Sequence, residues 1–330
     1  MTGNVWVLVE HWRGQVSDIT YELLALGREV ADALGVKLEA VLLGSQVAAL
    51  AETLGKADAV LYADHAALAE PLHEAYTDAL GQMAAERKPR VVLVPVTNVT
   101  LSVGTFLASR LGAAAANFCK DVRVVDGAIQ VCAVLYGGKM EVTVAVGLEP
   151  AVLGIWPGAR SGEQGRAAAA PPVEQVAVSL PDAPRVRFIR YIDPEAGDVD
   201  IAQQESLVAV GRGIQSKDNL ELAEELAGEL GGAVCGSRPV IDQGWLPLSR
   251  QVGKSGANVK AKLYVAAGIS GAPEHVEGIR NAGLVIAVNT DEQAPIFGVA
   301  HYGVVADALD FLPALTEAIR KKKQAAASHA

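Results

Sequence analysis

Aromatic residues are scarce in this chain, 5% of 330, so its cores must be built from small aliphatics. Ala, Val, Leu and Gly supply them, and such cores suit layered folds in which helices pack closely on a parallel sheet. Cysteine is scarcer still: Cys119, Cys132 and Cys235, an odd number with no CxxC among them. That argues against a disulfide framework and for a reducing compartment. Positive charge is outnumbered, 28 Lys and Arg against 38 Asp and Glu, which leaves a net charge of -10 at pH 7. An acidic surface argues against general nucleic-acid binding, which runs on cations neutralising phosphates. It leaves room for a local basic pocket around a phosphate-bearing ligand. No apolar run approaches the roughly twenty residues of a membrane-spanning helix, so the protein is not expected to be membrane-embedded. The start, MTGNVWVLVEHWRG, has neither the basic region and long apolar stretch of a signal peptide nor an Arg/Ser-rich transit character, so cytoplasm is the default expectation. Six histidines and three cysteines show no ligand spacing, and no metal site is expected.

What is present is alternation. Strand-like runs at 5–9, 38–43, 59–62 and 91–94 are separated by amphipathic stretches at 21–34, 46–54 and 68–86, and a further helix fits 102–111. This pattern predicts right-handed crossovers and a parallel sheet. Strands at 122–125, 129–135 and 140–146, with turns at Asp126-Gly127 and Gly137-Gly138, read as hairpins added to it. From Pro157 to Pro184 the chain is rich in Gly, Ala and Pro and reads as linker-like. A second unit then begins with a strand at 207–210 and a glycine turn, Gly211-Arg212-Gly213. Asp218, with Glu221 three residues on, is a candidate N-cap for a helix ending at Gly231-Gly232. Strands fit 262–266 and 284–288, and helices fit 272–281 and 306–320. The expected organisation is a two-domain α/β protein. Residues 1–192 would form a three-layer N-terminal domain with added hairpin strands, and 193–320 a Rossmann-like parallel-sheet domain. Residues 321–330 would be a polar, frayed tail.

Single motifs are weak. Gly211-x-Gly213 begins a dinucleotide fingerprint, but Ser216 stands at the third glycine, and a tight strand-to-helix turn explains it as well. Gly253-Lys254-Ser255 ends like a P-loop, yet Leu248 stands where the first glycine is required. Gly268-Ile269-Ser270-Gly271 begins like a nucleophile elbow, with Ala272 in place of the closing glycine. That segment joins a strand to a helix, where backbone N–H groups suit an anion, although Gly271 would also serve a plain turn. His275 and Arg238 would ordinarily be a packed histidine and a solvated loop arginine. Together these features support a nucleotide-binding α/β domain.

The ordered phrases GRGIQSKDN, CGSRPVIDQGWLP, QVGKSG, LYVAAGISGAPEH and VIAVNTDEQAPIFGVAHYGVVAD, with the closing LPALTEAI, resemble the FAD domain of electron-transfer flavoprotein alpha subunits. VVLVPVTNVT, LASRLGAAAANFCKDV and GGKMEVTV resemble the N-terminal domain of that family more loosely. The resemblance implies an obligate heterodimer with a beta subunit on which the N-terminal domain packs. Electrons would come from flavin dehydrogenases such as acyl-CoA dehydrogenases and leave to a membrane quinone reductase or another acceptor. A carrier of this kind needs no acid, base or nucleophile of its own. The alternative within the resemblance is a bifurcating complex that oxidises NADH at a second flavin. By position, the resemblance places Arg238 near the flavin ring, Ser255 at flavin N5 and His275 near the C2 carbonyl. Ser270 and Gly271 would serve the pyrophosphate. Arg212, Ser237, Gln251, Val252, Gly253, Gly268, Ile269, Asn289 and Asp307 would line the remainder of the FAD. Lys254, Glu274, Thr290 and His301 depart from the residues common at their positions.

Overall fold

A computed structural model describes residues 3–136, 140–181, 185–191 and 198–327. The chain divides into two compact units, 1–190 and 191–330.

The first unit is built on a nine-stranded sheet. Its members are β1 (Val5–Leu8), β4 (Leu38–Gly44), β5 (Ala59–Asp64), β6 (Val91–Pro95), β7 (Ala114–Val125), β8 (Ala128–Leu135), β9 (Met140–Val146), β10 (Ala151–Ile155) and β11 (Val173–Gln175). A two-stranded ribbon, β2 (His11–Trp12) and β3 (Gln15–Val16), lies outside it. The sheet order is β11-β5-β4-β1-β6-β10-β7-β8-β9. It is parallel from β11 to β7, and β8 and β9 add antiparallel. Central strands are apolar at every position because helices cover both faces. Val5 and Val7 pack with α1 (Asp18–Leu34) on one face. Trp6 and Leu8 pack with α2 (His73–Arg87) and α3 (Leu101–Leu111) on the other. The three-layer expectation therefore holds. The Asp126-Gly127 turn has positive φ at both residues (50° and 77°), the backbone a two-residue hairpin turn requires. The expected turn at Gly137-Gly138 lies outside the described residues.

The stretch read as a linker is mostly not one. Its described part, 157–181, is strapped to the first unit. The Arg160 guanidinium donates to both Glu29 oxygens and to Asp121, and Arg166 stacks 3.7 Å over the Tyr21 ring. β11 pairs parallel with β5, and Val176 and Leu180 are buried. Composition misled in part because a small residue is needed where this stretch crosses α1: in the 3-10 turn Gly162–Gly165, a Cβ on Gly165 would sit 1.7 Å from the Tyr21 carbonyl oxygen. The stretch 46–54 forms only a 3-10 turn at Ala48–Thr53, and α2 begins at His73, two residues after Pro71.

The second unit carries a five-stranded, all-parallel sheet of order β13-β12-β14-β15-β16. Its strands are β12 (Ser206–Val210), β13 (Ala233–Gly236), β14 (Leu263–Ala267), β15 (Leu284–Asn289) and β16 (Tyr302–Val305). α4 (Leu220–Leu230) and α7 (Ala308–Ala327) cover one face of it. Loops and the short α6 (Pro273–Ile279) cover the other, and α5 (Arg238–Asp242) follows β13. Two expectations are corrected. The cap of α4 is Asn219, not Asp218, and Asn219 turns its amide to the Ile214 carbonyl. The polar tail is helical through Ala327, because Lys, Gln and Ala favour helix and Arg320 and Lys323 reach Glu229 of α4.

The Arg160 cluster gives a test of the strap. Burial alone would raise the Asp121 carboxyl, but hydrogen bonds from Arg160 and Arg123 outweigh it and hold the group below the usual carboxylate range. A depressed folded-state value stabilises the fold above the unfolded value and is lost as pH falls through the folded one. Arg160→Ala is expected to cost about 1–3 kcal/mol at neutral pH by urea unfolding. The gap to wild type should narrow once pH drops below about 4.

Candidate functional site

In an open parallel sheet, ligands bind outside the carboxyl ends of the strands where the strand order reverses. In the second unit β13 lies on one side of β12 and β14 on the other, so that point falls between β12 and β14. The predicted residues collect along this edge. Arg212 follows β12, Ser237 and Arg238 follow β13, and Gly268, Ile269, Ser270 and Gly271 follow β14. Asn289 ends β15, and Asp307 lies two residues past β16. Five separate stretches of sequence thus deliver their residues to one rim.

The turns after β12 and β14 touch backbone to backbone. A Cβ on Gly211 would lie 2.2 Å from the Gly268 oxygen, and one on Gly213 would lie 2.6 Å from Gly268 Cα. Gly213 donates its N–H to the Gly268 carbonyl at 3.1 Å. The glycines of the Gly211 turn are therefore there for this contact. Gly268 (φ 64°) and Gly271 (φ 90°) bend the second turn outward. No protein acceptor takes the backbone N–H of Ile269, Ser270 or Gly271 among the described residues. Three such donors in sequence suit an anionic oxygen. α6 behind them has only seven residues, so the loop amides rather than a long helix dipole carry that capacity. Asn289 braces the loop from below, donating to the Ile269 carbonyl at 2.9 Å and accepting from the Asp291 N–H. Asp307 caps α7 through the Leu309 N–H and accepts from Gln215 at 3.4 Å.

A second loop, 251–256, closes the rim. Gln251 bridges to Gly236 at the end of β13, and its side-chain amide donates to Ser255 Oγ at 2.9 Å. Ser255 thus accepts from inside and keeps its own O–H for a ligand. Gly253 (φ 127°) lies against the start of α6, where a Cβ would be 2.6 Å from the Glu274 oxygen, and the Lys254 N–H donates to that oxygen. Val252 is buried beneath. Ser237 is buried and makes no capping hydrogen bond with its hydroxyl. Arg238, in contrast, is exposed and pairs loosely with Asp242 at 3.5 Å, a contact a ligand would readily displace. Arg212 is also exposed.

His275 does not lie on the open rim. It is 5% exposed, its Nε2 is 2.9 Å from the Tyr264 hydroxyl, and its Nδ1 is buried without a formed hydrogen bond. Burial pushes the imidazole down to about 4, opposed in part by the Val252 backbone. The ring is therefore neutral at physiological pH. Sequence reasoning missed Tyr264, whose signal was an aromatic alone in the run Leu263-Tyr264-Val265-Ala266-Ala267. It also missed Arg250, which ties Asp198 and the Val234 carbonyl beneath the 251–256 loop.

These features fit a phosphate-bearing ligand, and comparison with known proteins gives the family. Residues 200–280 match the family model described as the electron transfer flavoprotein FAD-binding domain, and residues 5–181 match the electron transfer flavoprotein domain. The chain belongs to the electron transfer flavoprotein alpha-subunit family. A protein named FixB from Clostridium saccharobutylicum is 39% identical over 94% of this chain and 95% of its own length. An electron transfer flavoprotein subunit alpha from Clostridium acetobutylicum is 32% identical over 96% and 97%. A protein from Anaerotignum propionicum named acryloyl-CoA reductase electron transfer subunit beta is 34% identical over 98% and 97%. The second unit is a flavin-binding domain, and the matched segment ends at residue 280, just past α6 and short of β15 and β16. No helix among the described residues is long and apolar enough to cross a membrane.

Gly211→Ala forces its methyl into the Gly268 backbone. The expected result is a loss of about 1–3 kcal/mol in urea unfolding together with weakened flavin retention. Unchanged stability would show that the two turns part easily.

Proposed function

We propose that this chain is the FAD-holding subunit of a heterodimeric electron carrier. The observation that supports it is the convergence of the loop amides of 269–271, the Ser255 hydroxyl and the Arg238 guanidinium on the carboxyl edge of one parallel sheet. When bound, FAD supplies one- and two-electron transfer at its isoalloxazine ring. The chain's own groups then divide by place. The N–H groups of Ile269, Ser270 and Gly271 take the pyrophosphate. Ser237, Gln251, Val252, Gly253 and Arg212 line the remainder. Asn289 and Asp307 hold the loops and offer the rest of their polar capacity to the ribityl and AMP portions. Ser255 donates its O–H to the ring, and Arg238 offers a permanent positive charge that favours negative charge on the ring. His275, being neutral, offers a donor and no charge.

The first unit packs on a beta subunit in this reading, so that the exposed flavin edge is left for a redox partner. A flavin dehydrogenase acting on a CoA thioester suits the donor side, and the relative named for acryloyl-CoA reductase supports that class. A membrane quinone reductase suits the acceptor side. The alternative is that the same subunit serves a complex splitting electrons from NADH. Flavin content separates the two: one FAD per heterodimer and no NADH oxidation fit the carrier, and two FAD with NADH oxidation fit the alternative.

Arg238→Ala is expected to lower the reduction potential of the bound flavin by about 60 mV or more, a tenfold step for a one-electron couple. Spectroelectrochemical titration measures it. Potentials equal to those of wild type would remove Arg238 from the role assigned to it.

A further inference from the structure

Beneath the site lie three buried protic groups, Cys235, Tyr264 and His275, of which the flavin reading uses only the histidine. Cys235 on β13 and Tyr264 on β14 are both 0% exposed and share the core on the α6 side of the sheet. The Cys235 thiol adjoins the Tyr264 hydroxyl. The same hydroxyl is 2.9 Å from His275 Nε2, with the two rings 6.1 Å apart and tilted by 50°.

Proton counting fixes which of these groups donates. Burial pushes the thiol up to about 12 and the phenol well above its ordinary range, so both keep their protons. Imidazole nitrogen is a far better acceptor than a thiol sulfur, so the Tyr264 O–H goes to Nε2. A ring that accepts at Nε2 and is neutral carries its own proton on Nδ1. That N–H is the atom left buried and without a formed partner, beside the Val252 backbone under the 251–256 loop. The groups facing the ring from neighbouring elements are Tyr264 from β14, with Cys235 behind it, and Lys254 on the covering loop. Glu274 and Glu277 adjoin it on α6 itself. Neither they nor Lys254 is among the causes of its displacement, so no charge holds a second proton on the ring.

We propose that Tyr264 is a positioning residue of the flavin site: its hydroxyl holds His275 as the neutral Nδ1–H form and reserves that N–H for an acceptor atom of the flavin ring. The choice of acceptor rests on the FAD reading above, whereas the tautomer rests only on this chain. A buried donor without a partner is destabilising, a cost removed when the acceptor arrives. The histidine thereby contributes a fixed dipole whose charge does not change across physiological pH.

Nitrogen-15 histidine correlation spectra of the full chain, co-expressed with its second subunit, test this directly, with His275→Gln identifying the resonance among six histidines. The expected wild-type pattern is Nδ1–H, unchanged between about pH 6 and about pH 8. Tyr264→Phe is expected to convert it largely to Nε2–H and to shift the potential of the retained flavin. An Nε2–H or doubly protonated wild-type ring would overturn the proposal, and so would an Nδ1–H ring unaltered in Tyr264→Phe. Should Tyr264→Phe not fold, the wild-type spectrum still decides. If the Nδ1–H proton shows the same exchange and shift with and without flavin, its assigned acceptor is the Val252 carbonyl and the flavin half of the proposal falls. A Tyr264-dependent Nδ1–H ring in a protein that retains no flavin would uphold the tautomer and overturn the FAD reading.

Discussion

The site depends on the backbone contact between the turn after β12 and the turn after β14. Gly211 and Gly213 on one side and Gly268 on the other leave no room for a Cβ. Without side chains between them, the two turns form one floor at the point where the strand order reverses. From that floor the 268–271 loop turns outward and leaves the amides of Ile269, Ser270 and Gly271 without a protein acceptor among the described residues, Asn289 braces it from β15, and Ile296 closes over Gly271. The phosphate-binding capacity is therefore a consequence of close packing, not of a fingerprint motif. A broken GxGxxG is therefore compatible with a flavin-binding domain.

Much of this was legible in the sequence, and the reasons are specific. Val208, Val210, Val265 and Ala267 belong to strands buried on both faces, so they read as unbroken apolar runs. The partial motifs at Gly211, Gly253 and Gly268 correctly marked three rim loops although none was complete. β13, β16, β10 and β11 were not legible. Ala233–Gly236 and Tyr302–Val305 are four residues each, and their strand character comes from pairing with β12 and β15 rather than from propensity. β11 lay in a stretch whose small residues suggested looseness, yet Gly165 in it lies tight against the Tyr21 backbone, while residues 167–170 are exposed.

His275 shows where residue-by-residue inference and structure part. Its position in the sequence suggested a cation or a donor at the flavin edge. Its burial against Tyr264 selects the donor, because desolvation removes the charge at physiological pH. Positive charge at the rim falls instead to Arg238, which is exposed and weakly paired. A guanidinium at the surface and a desolvated imidazole inside thus divide the roles of charge and neutral polar group between two places.

A crystal structure of the flavin-loaded heterodimer tests the central claim most directly. The account predicts density for the pyrophosphate against the amides of Ile269, Ser270 and Gly271, with the ring near Arg238 and Ser255. A flavin bound away from the carboxyl edge of β12 and β14, with those amides hydrogen-bonded only to protein or water, would contradict it.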